Sequence, residues 1–193
     1  MAESPPGQDG DLACLVLLSG GIDSATLLSH AHQMWPRVES LFVDYGQAAA
    51  LGERAAARAL ASEASVDHRE ASFIGSTFGA GEIRGRNAFL VHAALLAWGE
   101  ERGAIALGVH AHSVYRDCSP EFAGLMQRSL DLHTGGALQL STPFITRTKG
   151  EVFSLALDLH VPLHLTYCCE ASGTAPCGTC DSCRDREHLL ASA

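Results

Sequence analysis

Residues 13–26 read Ala-Cys-Leu-Val-Leu-Leu-Ser-Gly-Gly-Ile-Asp-Ser-Ala-Thr, and this stretch decides the fold. The apolar run 13–18 is a buried strand. It stops at Ser19-Gly20-Gly21. Asp23 and Ser24 then stand before the apolar-periodic Ala25, Leu27 and Leu28, so a helix starts there. Strand, glycine turn and helix N-terminus together make an anion site. The glycines let backbone N–H groups approach an oxyanion, and the first helical N–H groups point the same way. Ser19, Ser24 and Thr26 add hydroxyl donors. Asp23 is acidic and does not bind phosphate directly; it holds Mg2+ or orients the loop. An ordinary capped turn accounts for two adjacent glycines, but not for Ser-Gly-Gly-x-Asp-Ser behind a buried strand. The spacing is neither G-x-x-x-x-G-K-[ST] nor G-x-G-x-x-G, and no lysine follows the glycines.

Working outward, strands are expected at 38–44, 67–73, 104–109 and 138–140. Helices are expected at 48–64, 87–102, 119–132 and 149–159, with a short last one near 184–190. Asn87 reads as the cap of the helix it opens, and Ser119-Pro120 as Ncap and N1 of another. Strands alternating with helices give an α/β fold, a doubly wound parallel five-stranded sheet covered on both faces. Ligands bind beyond the carboxyl ends of such strands. That rule brings four segments to one crevice: the glycine turn, Asp44-Tyr45-Gly46-Gln47, the loop 110–118 and the segment 142–149. The loop 75–87 carries four glycines with Arg84 and Arg86, and loops of that length are more often functional than idle.

The 193 residues suit one domain with a sizeable core. A net charge of −9 argues against nonspecific nucleic-acid binding, which needs clustered positive charge. No apolar run reaches membrane-spanning length. Residues 1–10 lack the features of a signal peptide and read as a flexible leader, with a cytoplasmic setting as the default. Residues 11–162 form the nucleotide-binding unit and 163–193 a C-terminal metal segment.

Five of the seven cysteines fall within residues 168–183, which fits metal better than disulfides. Cys177-Gly-Thr-Cys180-Asp-Ser-Cys183 plus one further thiolate makes four soft ligands. That set suits a closed, structural, tetrahedral zinc, with an iron–sulfur cluster as the competitor. Cys168 and Cys169 are adjacent and do not both ligate; chemistry alone leaves the choice open. Lys149 is the only lysine among thirteen basic residues, and it stands on the first turn of a helix at the crevice, in reach of a nucleotide phosphate. His110 and His112 flank the crevice and read as polar surface residues.

The loop resembles the pyrophosphate loop of the ATP pyrophosphatase (PP-loop) superfamily. Leu18-Ser-Gly-Gly-Ile-Asp-Ser24, Asp44-Tyr-Gly-Gln47, Gly85-Arg-Asn87, Tyr115, Asp117-Cys118, Thr142-Pro143, Lys149 with Glu151 and the cysteine knuckle together resemble the 7-cyano-7-deazaguanine synthase (QueC) family. The resemblance implies the adenine nucleotide alpha hydrolase-like fold with a small zinc knuckle. It implies ATP bound by Leu18, Ser19, Gly20, Gly21, Ile22, Asp23, Ser24, Ala25, Thr26, Asp44, Tyr45 and Gln47, with Mg2+. Asp23 and Lys149 are the implied catalytic residues. Arg86, Asn87, Tyr115, Asp117 and Cys118 are implied to hold the deazaguanine. Its cysteine spacing is taken to select Cys168 over Cys169, giving Cys168, Cys177, Cys180 and Cys183 around zinc. The implied reaction adenylates the carboxylate of 7-carboxy-7-deazaguanine and aminates it with ammonia, first to the amide and then to the nitrile. A homodimer is expected. The chain departs from the family at Ala48-Ala49, Arg84 and Arg116 and in a shorter 110–118 loop. These changes keep a second reading in view, a ligase that couples the carboxylate to another amine, on a protein or nucleic acid, or that stops at the amide.

Overall fold

The computed structural model describes residues 12–75, 77–79, 81–111 and 115–191; the expected leader and His112 lie outside them. Five strands form one parallel sheet: β1 (Ala13–Leu17), β2 (Arg37–Asp44), β3 (Asp67–Ser72), β4 (Gly103–Ala106) and β5 (Leu138–Ser141). The order is β3-β2-β1-β4-β5, so β1 is central. Among the described residues six α-helices accompany it: α1 (Ile22–Met34), α2 (Ala50–Glu63), α3 (Arg86–Trp98), α4 (Pro120–Thr134), α5 (Lys149–Asp158) and α6 (Asp181–Ala191).

Every residue of β1 is buried, yet alternate residues enter different cores. Cys14, Val16 and Leu18 pack with Leu27 of α1, Leu60 of α2 and Val152 of α5. Ala13, Leu15 and Leu17 pack with Val91 and Trp98 of α3 and Leu130 of α4. The period of two therefore feeds two apolar layers, as a doubly wound sheet requires. β3 is an edge strand, Asp-His-Arg-Glu-Ala-Ser, and its charged, mostly exposed residues discourage pairing with another chain. No described helix is long and apolar enough to cross a membrane.

Several boundaries differ from expectation for local reasons. α1 begins at Ile22 with Gly21 as its cap, so Asp23 and Ser24 ride its first turn instead of preceding it. β4 ends at Ala106, because Val109 bonds back to Leu107 and Gly108 closes on the backbone of Asp23. α3 is capped by Gly85 at φ 79 and stopped by Gly99 at φ 70, both in the left-handed region that favours glycine. Asn87 is therefore not the cap but a buried residue of the first turn. Ser119 caps α4 as expected, accepting from Phe122 N at 3.2 Å. α6 starts at Asp181, three residues earlier than the sequence suggests.

Candidate functional site

The glycine turn leaves β1 beside α2. Gly20 has φ +86, and a Cβ there would sit 2.7 Å from Glu53 O and Ala56 Cβ, so only glycine fits. Gly20 thus faces the helix behind it, while Ser19, Gly21, Asp23 and Ser24 line the crevice. Ser19 Oγ and Ser24 Oγ are 3.2 Å apart, and the Ser24 hydroxyl donates to Gly21 O at 3.0 Å. Thr26 is fully buried and donates to Ile22 O at 2.8 Å, so its hydroxyl serves the helix. Ala25 is likewise in the core. Leu18 contributes to the crevice wall and Ile22 to its continuation.

Two adjoining hollows of about 290 and 370 Å3 share Ser19, Gly21, Asp23, Tyr45, Gln47 and Arg86. In the first, His110 Nε2 lies 3.6 Å from Asp23 Oδ2. Burial pushes the Asp23 carboxyl above its usual range, and His110 and Lys149 oppose that rise. Arg86, Asn87, Tyr115 and Cys118 also line this hollow. Asp117 stands behind them: its carbonyl accepts from Asn87 Nδ2 at 3.0 Å and its Oδ2 from Asn87 N at 3.4 Å. The deazaguanine positions expected from the resemblance are thus brought together, four at the surface of the hollow and one behind it.

The β2 turn is knit internally. Asp44 accepts from Gly46 N at 3.0 Å and pairs with Arg54. The Gln47 amide donates to Val43 O at 3.3 Å and Glu53 Oε2 at 2.8 Å, and its Oε1 accepts from Tyr45 N at 2.9 Å. Both amide hydrogens are therefore committed within the protein. Asp44 and Gln47 shape the turn, and Tyr45 presents its ring to both hollows. Burial raises the Glu53 carboxyl, opposed by its bond from Gln47 and by Arg86.

Lys149 opens α5 behind a capping box made by Thr148 and Glu151. It lines the second hollow, where its Nζ is 2.7 Å from Asp185 of α6. Beyond it lie the cysteines. The sulfurs of Cys169, Cys177, Cys180 and Cys183 all fall within 4.8 Å of one another. The sequence reading puts Cys168 in this set; the structure puts Cys169 there. Cys169 is buried and its sulfur accepts from Cys177 N at 3.3 Å and Ala171 N at 3.4 Å, which turns it into the knuckle. Cys168 stands outside the set, 3.9 Å from Cys183 and on the hollow. Cys177 is held near a pKa of about 6 by hydrogen bonds from Thr179 and Cys180. Metal–sulfur bonds of about 2.3 Å in a tetrahedron give sulfur–sulfur edges of about 3.8 Å, so this set fits a single ion.

The chain matches the family described as "Queuosine biosynthesis protein QueC" over residues 13–80 and 77–193. The chain belongs to the QueC family. It is 36% identical to the 7-cyano-7-deazaguanine synthase of Synechococcus sp. strain CC9605, over 93% of this chain and 92% of that one. It is 34% identical to the enzyme of the same name from Synechococcus sp. strain RCC307, over 93% and 94%. Among solved structures, the U34-tRNA thiolase NcsA of Methanococcus maripaludis, with its [4Fe-4S] cluster, overlays with a TM-score of 0.53 at 15% identity. That match covers 94% of this chain and 65% of the thiolase and speaks for the shared fold alone. The nucleotide-binding, PP-loop character of the QueC family agrees with the crevice built from Ser19 to Ser24.

Among the crevice residues that the sequence does not single out, three carry polar groups from unexpected places. Glu53 sits on the first turn of α2, and Tyr167 and Arg186 come from the C-terminal segment. Reading strand carboxyl ends finds loops, so it passes over a helix turn and a distant segment folded back. For Glu53 the available signal was its place in the helix that follows the Tyr-Gly-Gln turn.

Proposed function

We propose that this protein is an ATP-dependent 7-cyano-7-deazaguanine synthase. It adenylates the carboxylate of 7-carboxy-7-deazaguanine, releasing pyrophosphate, and ammonia displaces AMP to give the amide. A second ATP adenylates the amide oxygen, again releasing pyrophosphate, and loss of AMP and a proton from the imidate leaves the nitrile. The observation that carries this reading is one crevice holding three sets of groups: the Ser19–Ser24 turn, Lys149, and the cluster of Arg86, Asn87, Tyr115 and Cys118. A carboxylate is a poor electrophile and AMP a good leaving group, so activation precedes amination. Backbone N–H groups of the turn and the Lys149 ammonium stabilise charge moving onto pyrophosphate.

Asp23, on the first turn of α1, would hold Mg2+ against the Ser19–Ser24 turn. Its half-buried position favours a cation, which would offset the desolvation that raises its pKa. Zinc would be held by Cys169, Cys177, Cys180 and Cys183 and supply rigidity, because four thiolates leave no open position. The close approach of the four sulfurs favours a single ion over a cluster that interposes its own sulfides. The protein works in the cytoplasm with ammonia as nitrogen donor, as a homodimer for which exposed Leu96 of α3 and Leu132 of α4 offer apolar surface.

The test is incubation with ATP and 7-carboxy-7-deazaguanine, with and without ammonium, read by mass spectrometry. AMP and the nitrile are expected with ammonium. An amide that accumulates unconverted, or AMP formation that another carboxylate stimulates and this one does not, overturns the assignment.

A further inference from the structure

We infer that the metal-held cysteine segment is part of the nucleotide-binding apparatus, with Tyr167 as the positioning residue that ties metal occupancy to the shape of the phosphate loop. The inference rests on the reading of that loop as the ATP site. Tyr167 N donates to Gly20 O at 2.8 Å, a bond from the cysteine segment into the middle of the loop. Its backbone also runs beside Gly21, where an added Cβ would lie 3.8 Å from Tyr167 O. The Tyr167 ring packs on α2 at Gly52, where a Cβ would sit 2.3 Å from the ring carbon Cζ. Tyr167 is 7% exposed and shares a small apolar cluster with Ala49, Ala56, Cys169 and Cys183. Its hydroxyl donates to Gly173 O at 3.2 Å, so the far side of the ring is fixed by the segment that carries the cysteines. Ala49, one of the departures from the family pattern, is thus a wall for this ring.

A second contact runs the same way. α6 contains Cys183, and its Asp185 holds Lys149 at 2.7 Å. Arg186 of α6 bonds Leu163 O at 2.6 Å and also Thr166, next to Tyr167. The knuckle therefore touches both parts of the site, the loop through backbone and the lysine through a carboxylate. The region between Thr166 and Cys180 has no helix or strand, and its order depends on the sulfurs being held together. When they are released, Tyr167 loses its anchorage and the buried Gly20 carbonyl loses its partner. The loop is then no longer preorganised for the nucleotide.

Coupling between two sites is reciprocal. Bound nucleotide must therefore tighten the metal by the same factor as bound metal tightens the nucleotide, and with an unchanged on-rate that factor appears in metal loss. The probe is α,β-methylene-ATP with excess Mg2+, which binds but cannot be cleaved. Zinc release from the holoprotein to a chromophoric chelator is timed with and without it, and its affinity is measured by calorimetry. The analogue is expected to slow zinc release about tenfold, within the usual range of site-to-site coupling. Gly52→Ala keeps every cysteine but displaces the ring; it should hold full zinc, bind the analogue about tenfold more weakly and lose the protection. Tyr167→Leu gives the same outcome should Gly52→Ala fold poorly. Equal zinc release with and without analogue, in wild-type protein that binds it, overturns the inference. So does wild-type affinity in both variants. If wild-type holoprotein does not bind the analogue at all, the ATP reading of the loop falls first and this inference with it.

Discussion

The phosphate loop and the cysteine segment face one crevice and are held by opposite means. The loop follows a strand buried along its whole length and precedes a helix in the core. Its shape is set by backbone: Gly20 at φ +86, pressed against α2. The cysteine segment has few buried side chains and an exposed Cys177, and its one helix begins only after Cys180. A site can thus have one wall specified by a sheet and another that depends on a cluster of four thiolates able to hold an ion. The two walls should fail differently when damaged.

The largest expected effect is on the ion-held wall. Cys180→Ser should abolish metal binding and lower soluble yield, because a structural zinc contributes on the order of 10 kcal/mol to local folding. Within the same wall, Cys169→Ala should lose the metal while Cys168→Ala keeps it. Metal analysis per chain decides this, and the opposite pattern would return Cys168 to the ligand set. The loop wall should fail in rate instead. Asp23→Ala and Lys149→Ala should each cut pyrophosphate release by roughly a hundred- to a thousand-fold, about 3–4 kcal/mol of transition-state stabilisation, with the circular-dichroism spectrum unchanged. Lys149→Arg should rescue poorly, since a planar fork does not replace a compact ammonium. Near-wild-type release from Lys149→Ala would leave the lysine as nothing more than the partner of Asp185. Gly20→Ala attacks the loop's backbone and should cost about 2–3 kcal/mol of stability in denaturant unfolding, from the left-handed φ and the contact with Glu53 O. An unchanged midpoint would mean the turn has another conformation of equal energy.

The same contrast governs what the sequence reveals. Strand, glycine turn and helix start are local signals, so residues 13–26 and the convergence of strand ends on one crevice are legible. So is the Ser119-Pro120 start of α4, where hydroxyl and ring act within one turn. Asn87 misleads because its side chain serves a distant loop, donating to Asp117 O, while Gly85 takes the cap position. Gln47 lines both hollows, and its bonds to Val43, Tyr45 and Glu53, which no spacing rule announces, also hold the turn together. Cys168 and Cys169 are chemically identical neighbours, and only the folded path, with Cys177 N turned onto Cys169, distinguishes them. Tyr167 on Gly20 and Gly52 joins remote segments that no spacing rule connects.

The smallest effect separates holding Lys149 from using it. The Thr148 hydroxyl accepts from Glu151 N at 3.2 Å, and Glu151 Oε2 accepts from Thr148 N at 2.6 Å. The Thr148 hydroxyl also donates to Glu151 Oε2 at 2.8 Å. These bonds satisfy two donors at the end of α5 and fix the turn on which Lys149 stands. Thr148→Ala removes one half of the box and should cost about 1 kcal/mol, seen as a melting temperature lowered by roughly 2–4 °C. Thr148→Ser keeps the oxygen and should cost less. The core contacts of Val152, Phe153 and Ala156 still anchor the helix, so Lys149 stays at the crevice. Pyrophosphate release should therefore fall far less than in Lys149→Ala. A hundredfold loss from Thr148→Ala, with the melting temperature barely moved, would mean that the first turn of α5 is held by the cap rather than by the core. The lysine would then depend on local hydrogen bonds more than on the sheet behind it.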